Sequence, residues 1–357
     1  MTSQAPTASI VLSLDEVEDL SYRMLTASGA SELQARPTAS SMRAAEADGI
    51  RTVGLSYLPT YCDHVACGKV LGQAVPTVAR PRAATVVVDA HHGFAHAAFV
   101  AGAEPLIGAT RTCGVGVLSI GHSYSAGVLG WFVEQLATEG LVALMFANSS
   151  SAMAPVGGIT AFFGTNPIAW AVPRAGRPPV VADLSSSAVA WVTVNAAAQA
   201  GEPIPLGWAL DAQGRPTTDA QAALAGSMAP SGGHKGSALA LLVDLLAGGV
   251  TGSSFSFEAS GFGGNVGGPP DVGQVIVAVD PVATAGGGFL DRVEVELAAM
   301  ISQDGVRLPG DRRLASREYT AVHGVEVPGE LMGVLTTYAD QGSPARAGRP
   351  VGSDDLA

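Results

Sequence analysis

Along the first fifty residues, apolar side chains recur every three or four positions. Val17, Leu20 and Met24 form one such face. Ser13-Leu14-Asp15-Glu16 opens it with the serine and glutamate of a capping box, and Gly29 can close it. Ser31-Glu32-Leu33-Gln34 repeats the opening signature. Pro37 is expected to stop or kink this second helix early, before the pattern resumes through Met42 and Ala45 to Gly49. The first 50 residues are therefore expected to be mainly helical. Gly54 to Tyr61 has the look of a polar and aromatic connection, and Val75 to Ala90 holds a short β run, Thr85 to Asp89. Gly93 to Thr112 has helical character, with Pro105 arguing for a break or restart.

From Gly114 the rhythm changes to alternation between strand and helix. Val115 to Ile120 is expected as a strand, Val128 to Glu139 as an amphipathic helix ended by Gly140, and Leu141 to Ala147 as a strand. Ile168 to Val172 and Val180 to Leu184 follow as β runs, while Ser185 to Thr193 shows no clear period. Gly207 to Asp211 has strand character ahead of the turn at Gln213-Gly214-Arg215-Pro216. Lys235 to Gly248 is a helix apolar nearly all round, which predicts burial. Gln274 to Asp280 is a β-branched strand, Phe289 to Met300 an amphipathic helix, and the Gly/Pro/Ala/Asp-rich stretch Gly342 to Ala357 an expected disordered tail.

Composition narrows the class. The 357 residues are 47% hydrophobic and 14% charged, which favours a well-buried globular protein. The net charge is −12, and Lys69 and Lys235 are the only lysines. With no basic run, nothing favours nucleic acid or an anionic membrane. Three cysteines, Cys62, Cys67 and Cys113, are too few for a disulfide framework and are expected as small buried or half-buried thiols. No signal peptide is evident, and Ala238 to Val250 is too short to span a bilayer, so a cytoplasmic location is expected.

Familiar phosphate-binding loops are missing. Gly114-Val115-Gly116 and Gly261-Phe262-Gly263 each lack the third glycine of a Rossmann fingerprint, and there is no Walker A loop, H-E-x-x-H or G-x-S-x-G. Gly232-Gly233-His234-Lys235-Gly236 is more informative. Free amides and a lysine at a helix start suit an anion, although a glycine-rich turn with a surface lysine satisfies the same pattern. Asp183 ends an apolar run beside Ser185-Ser186-Ser187, a place for a proton donor, a ligand-orienting carboxylate or simply a cap. Gly164-Thr165-Asn166-Pro167 supplies a tight turn, and Arg312-Arg313 a cationic pair suited to phosphate. His92 and His96 lie four apart beside His91, but no carboxylate shares that face, so no metal is expected. His122, in Gly121-His122-Ser123-Tyr124-Ser125, follows a strand end and can enter a site.

Taken together, GFAHAA (Gly93 to Ala98), WFVEQL (Trp131 to Leu136), GTNPIAW (Gly164 to Trp170), EPIPLGWALD (Glu202 to Asp211), GGHKGSALALLVDLLAG (Gly232 to Gly248) and LPGDRRL (Leu308 to Leu314) resemble the malate/L-lactate dehydrogenase family. That family includes sulfolactate dehydrogenases and Δ1-piperideine-2-carboxylate reductases. The resemblance runs from about Ala44 to about Val327. It implies an α/β, non-Rossmann NAD(P)-binding domain with a seven-stranded, mainly antiparallel sheet, and a helical domain built from both chain ends. The implied division is 1–113 for an N-terminal substrate region, 114–245 for the NAD(P) domain, 246–341 completing the first domain, and 342–357 as tail. It also implies a homodimer, hydride transfer between NAD(P)H and a 2-oxo acid or cyclic imine, and cofactor contacts from Gly232, Gly233, His234, Lys235, Gly236, Thr165, Asn166, Ser185, Arg312 and Arg313. Asp183 stands at the family's active-site aspartate.

The departures fall on the substrate side. Where the family typically has Ser-His-Gly followed three residues later by arginine, this chain has Thr52-Val53-Gly54 and Tyr57. Val53 cannot carry a proton, and Tyr57 cannot grip a carboxylate as a guanidinium does. The histidine of Asn-Ser-x-His-Phe-Gly has become Ser125, and the family lysine after Asp-x-x-Ser corresponds to Thr193, with Trp191 nearby. Val53, Ser125 and Trp191 are thus expected at the substrate, with Asp183, His122, Tyr57 and Tyr124 as candidate catalytic groups. A ketone needs a proton from the enzyme, whereas an iminium carries its own charge. The expectation is hydride transfer to a C=N bond, or to another acceptor needing little acid catalysis, in a larger and less anionic substrate and a secondary-metabolic setting. Reduction of a 2-oxo acid and a non-redox NAD(P)-binding relative are the alternatives. The arginine pair leans to NADPH over NADH.

Overall fold

The computed structural model describes residues 8–347, and the chain separates into two compact units. One comprises residues 76–263 and 269–309; the other is assembled, among the described residues, from 8–75, 264–268 and 310–347. This boundary differs from the expected break at 113/114. The hairpin Thr77–Arg82/Thr85–Asp89 supplies two strands to the same sheet as Val115–Ser123, so it cannot belong to another domain.

The larger unit is organised by a seven-stranded sheet in the order Thr77–Arg82, Thr85–Asp89, Val115–Ser123, Val272–Val279, Val142–Ala147, Ile168–Arg174, Arg177–Leu184. Only the Thr85–Asp89/Val115–Ser123 pair is parallel. The helices Ala95–Cys113 and Gly130–Thr138 cover one face, where Phe99, Leu106, Phe132, Val133 and Leu136 meet Val86, Leu118, Met145 and Ile276 in the main core. Burial alternates along Val142–Ala147 and Ile168–Arg174, as expected for strands with one face packed. On the other face, Arg174 makes a bidentate pair with Glu294 of the Phe289–Ile301 helix. A satellite core of Met153, Phe163, Val194, Ile204 and Met228 gathers around a three-stranded sheet that contains Ala209–Leu210.

Several expectations are corrected here. The Ala95–Cys113 helix runs unbroken through Pro105, because Phe99, Gly102, Leu106 and Ala109 on its buried face hold it across the one lost backbone bond. Ser185 to Thr193, without a clear period in the sequence, ends in a helix, Trp191–Ala200. The His234–Asp244 helix is not buried all round. It buries Gly236, Ser237, Ala240, Val243 and Asp244, while Leu239, Leu241, Leu242 and, in the following π-helical turn, Leu245 are 46–50% exposed. Small residues let this face approach closely, and the leucines point out.

The smaller unit is helical. Its core forms where Val17, Leu20, Met24 and Leu25 of Leu14–Ala27 pack with Met42 and Ala45 of Glu32–Ala47, Leu58 and Tyr61 of Leu58–Cys67, and Leu335 of Gly329–Gln341. Ser13 and Glu16 form both bonds of the expected capping box. Pro37 again lies inside an uninterrupted helix. Gly54 to Tyr61, expected as a connection, already contains the start of the Leu58–Cys67 helix. Ile10–Leu12 pairs antiparallel with Val325–Val327, stitching the two ends of the chain. Within the expected disordered tail, Gly342 and Ser343 are buried, and Ser343 bonds to Ser28 Oγ and Asp63, contrary to expectation for these residues. Residues 348–357 of that stretch lie outside the described residues. All three cysteines are free; Cys62 is buried and its thiol pushed up to about 12 by that burial, whereas Cys113 is exposed, contrary to expectation. Among the described residues no helix is long and apolar enough to cross a membrane.

Candidate cofactor and active site

The strand directions bring the sequence-predicted groups of the larger unit to one end of its sheet. Val115–Ser123, Val142–Ala147 and Arg177–Leu184 run toward that end and deliver His122, Asp183 and Ser185 there, together with Asn148, which sequence reading did not single out. The antiparallel strands Val272–Val279 and Ile168–Arg174 start from it, placing Asp271 and Asn166 alongside. All five non-glycine residues with positive φ among the described residues lie there too: His91, His92, His122, Asn166 and Asp271. Such backbone conformations persist only where the surroundings enforce them, and they concentrate at functional sites.

A cradle forms where three loops are sewn together. Ser186 N donates to Thr165 O at 2.8 Å, Ser186 Oγ to Asn166 O at 2.7 Å, and Ser231 N to Ser186 O at 2.9 Å. Gly232 and Gly233 have φ of 62° and 63°, with open space where their side chains would be. Gly233 caps the His234–Asp244 helix without any side-chain cap bond, so the amides of its first turn are presented outward with exposed His234 and Lys235. Half-buried Thr165 and Ser185 flank the same seam, Ser185 Oγ donating to Ser187 O at 3.1 Å. Asn166 behaves differently from its expectation. Its side chain is fully buried, donates to Ala240 O at 2.9 Å and accepts from Ser256 Oγ at 3.1 Å, so it holds the turn from inside.

Asp183 is exposed, and its Oδ2 accepts the Gly130 amide at 2.9 Å, at the start of the Gly130–Thr138 helix. His122 meets a carboxylate that sequence inspection missed. Its Nδ1 lies 2.9 Å from Asp271 Oδ1, its backbone N donates to Ser253 Oγ at 2.9 Å, and His92 N donates to its carbonyl at 2.6 Å. Ser254 Oγ donates to the other Asp271 oxygen at 3.2 Å, and His92 Nδ1 stands 3.4 Å from Oδ1. His96, by contrast, is a core group. Its ring packs against Trp131 and Phe132, and burial pulls it down to about 3. Tyr124, expected as a catalytic donor, is fully buried between Phe94 and Phe262, because its side chain turns inward while that of His122 does not. Ser125 is half-buried and accepts the Gly127 amide, and Trp191 is 39% exposed at the start of its helix.

In the smaller unit, Val53 ends a 3-10 turn, Arg51–Val53, and Tyr57 precedes the Leu58–Cys67 helix. Buried Glu46 accepts the Leu55 amide at 2.7 Å and braces this turn; burial raises its carboxyl above the ordinary range. Tyr57 packs edge-on to Tyr61, and burial raises its phenol, so it can donate a hydrogen bond but is a poor acid. The arginine pair divides. Arg313 Nη1 lies 3.5 Å from Asp48, which also holds Arg317, while Arg312 is exposed. Arg313 thus faces Asp48 without a hydrogen bond from its Nε or Nη1.

A sequence profile of the malate/L-lactate dehydrogenase family matches residues 12–336. The chain belongs to the malate/L-lactate dehydrogenase family. It is 46% identical over 329 residues to a (2R)-3-sulfolactate dehydrogenase (NADP(+)) of Chromohalobacter salexigens, covering 92% of this chain and 98% of the relative. It is 40% identical over 338 residues to Δ1-pyrroline-2-carboxylate reductase 2 of Burkholderia multivorans, covering 94% and 99%. The Δ1-piperideine-2-carboxylate reductase structure from Pseudomonas syringae pv. tomato superimposes with a TM-score of 0.88 at 38% identity, covering 92% of this chain and 99% of that one.

Membership of the malate/L-lactate dehydrogenase family makes the protein an oxidoreductase and accounts for the absent Rossmann loop. The cradle also passes a physical test for a dinucleotide. Gly236 could carry no side chain, since a Cβ would sit 2.3 Å from Ser231 O, and the open side of Gly232 and Gly233 admits phosphate against backbone.

Proposed function

We propose that this dehydrogenase-family member is an NADPH-dependent reductase of a C=N bond, acting on a small imine or iminium. The observation that carries this is the pairing of Val53 with Tyr57 at the turn braced by Glu46: an apolar group and a weakly acidic phenol stand where the family resemblance puts histidine and arginine. An iminium brings its own positive charge, so the loss of that histidine costs it less than it costs a ketone. The Burkholderia relative's name, a Δ1-pyrroline-2-carboxylate reductase, supports the same chemistry.

Gly233, His234, Lys235 and Gly236, with Thr165 and Ser185, would hold the dinucleotide, which when bound supplies the hydride. Arg312 is proposed for a 2′-phosphate on the family resemblance and its guanidinium chemistry. The NADP(+) in the Chromohalobacter relative's name supports that choice. Asp183, fixed by the Gly130 amide, would pair with the substrate cation. A second reading, reduction of a 2-oxo acid, is favoured by that relative's being a sulfolactate dehydrogenase and by the carboxylate-held His122. The working form is proposed as a cytoplasmic homodimer in which a second copy covers the exposed leucines of the His234–Asp244 helix and its extension.

The test is oxidation of NADPH by the purified enzyme with Δ1-pyrroline-2-carboxylate and with simple 2-oxo acids. Preference for the imine is expected. Asp183→Asn keeps an acceptor for Gly130 but removes the charge, and should lower kcat/KM for the imine roughly 10- to 100-fold. Turnover of oxo acids alone, or an unchanged Asp183→Asn enzyme, overturns the C=N assignment.

A further inference from the structure

We propose that Asp271 and His122 act as one unit, in which Asp271 is the positioning residue and His122 Nε2 exchanges the proton that the reduced substrate requires. This rests on the reductase reading above and supplies the acid that Val53 cannot. A carboxylate that accepts from one ring nitrogen fixes both tautomer and orientation, leaving the other nitrogen for the substrate. The 2.9 Å contact from Nδ1 to Asp271 Oδ1 does this here, and His122 keeps 40% of its side chain exposed.

The arrangement is over-determined. His122 and Asp271 both hold left-handed backbone, with φ of 49° and 56°. Ser253 and His92 clamp the His122 backbone, and Ser254 fixes the second Asp271 oxygen. His92 is the other titratable group facing the pair, 3.4 Å from Oδ1. A core histidine needs none of this scaffolding, as His96 in its aromatic pocket illustrates. The pair also shares the sheet end with Asp183, and only residues 123–129 separate His122 from the amide that Asp183 accepts.

A neutral imine takes one proton on nitrogen to become the iminium that accepts hydride at carbon, and a ketone oxygen takes one as hydride adds to its carbon. In the proposed step the Nε2–H bond of the imidazolium breaks and the substrate N–H or O–H bond forms. The imidazole is left neutral, with its remaining proton on Nδ1 toward Asp271, and solvent restores the other.

His122→Asn and Asp271→Asn both tolerate left-handed backbone, so each isolates the side-chain chemistry. Each should lose on the order of 10²-fold in kcat with the cofactor KM unchanged. The double variant should lose no more than either alone, because the second group acts through the first. In ¹⁵N-edited NMR of the wild-type protein without substrate, the neutral His122 ring should carry its proton on Nδ1, and Asp271→Asn should shift that population toward Nε2. Multiplicative losses, a variant with wild-type kcat, or an Nε2-protonated ring in the wild type overturns the proposal. A wild type inert toward both imine and oxo acid overturns the reductase reading and this one with it.

Discussion

At Gly236 one added carbon would sit 2.3 Å from Ser231 O and 2.8 Å from Ser186 O, both backbone atoms that cannot swing aside. Gly236→Ala should therefore push the Ser186 seam apart, costing about 1–3 kcal/mol of stability in denaturant melts and weakening NADPH in calorimetric titration. Arg312 and Arg313 make a contrasting pair of tests. Arg312→Ala should raise KM for NADPH with little change for NADH, whereas Arg313→Ala should act on stability by loosening Asp48. Equal effects on both cofactors from Arg312→Ala would remove it as the 2′-phosphate group. Residue type and spacing singled out the glycine-rich turn, Asp183 and His122 as candidates. They could not reveal that Asn166 and Tyr124 turn inward, nor that Asp271, nearly 150 positions away, closes on His122. A left-handed backbone at a non-glycine residue leaves no mark in the sequence.

At the scale of elements, the His234–Asp244 helix shows where periodicity runs out. An apolar stretch with two greasy faces does not say which one faces its own chain. Here the small residues Gly236, Ser237 and Ala240 pack inward, and Leu239, Leu241, Leu242 and Leu245 remain uncovered. Contiguous exposed leucines of this kind mark an interface more often than a solvent surface. If the proposed homodimer pairs through this face, Leu241→Glu should leave the monomer fold intact and shift sedimentation toward a lighter species; an unchanged sedimentation profile would count against that pairing. Pro37 and Pro105 mislead in the opposite sense. Each removes one backbone bond, and the buried faces of Glu32–Ala47 and Ala95–Cys113 carry the helices across the gap.

Across the whole molecule, each unit hides a histidine that its burial keeps neutral: His96 is pulled down to about 3 and His64 to about 4. Their values in an unfolded chain lie near 6.5. Between those limits the unfolded chain binds protons that the native one refuses, so stability falls as pH drops below about 6.5, by roughly 1.4 kcal/mol per pH unit for each group. Denaturant midpoints from pH 7 to 4.5 should show this slope, and His96→Phe, which suits the Trp131 and Phe132 surroundings, should flatten it by about one proton. An unaltered slope would mean that His96 is charged in the native state.

The strand pair Ile10–Leu12 and Val325–Val327 carries a last consequence, for biosynthesis. A ribosome releases the first partner more than three hundred residues ahead of the second. The helices Leu14–Ala27 and Glu32–Ala47 must therefore wait, half-assembled, while the sheet-bearing portion emerges and condenses. Their apolar stripes need shelter from chaperones throughout that interval, and a stalled or prematurely terminated message should yield a product prone to aggregation.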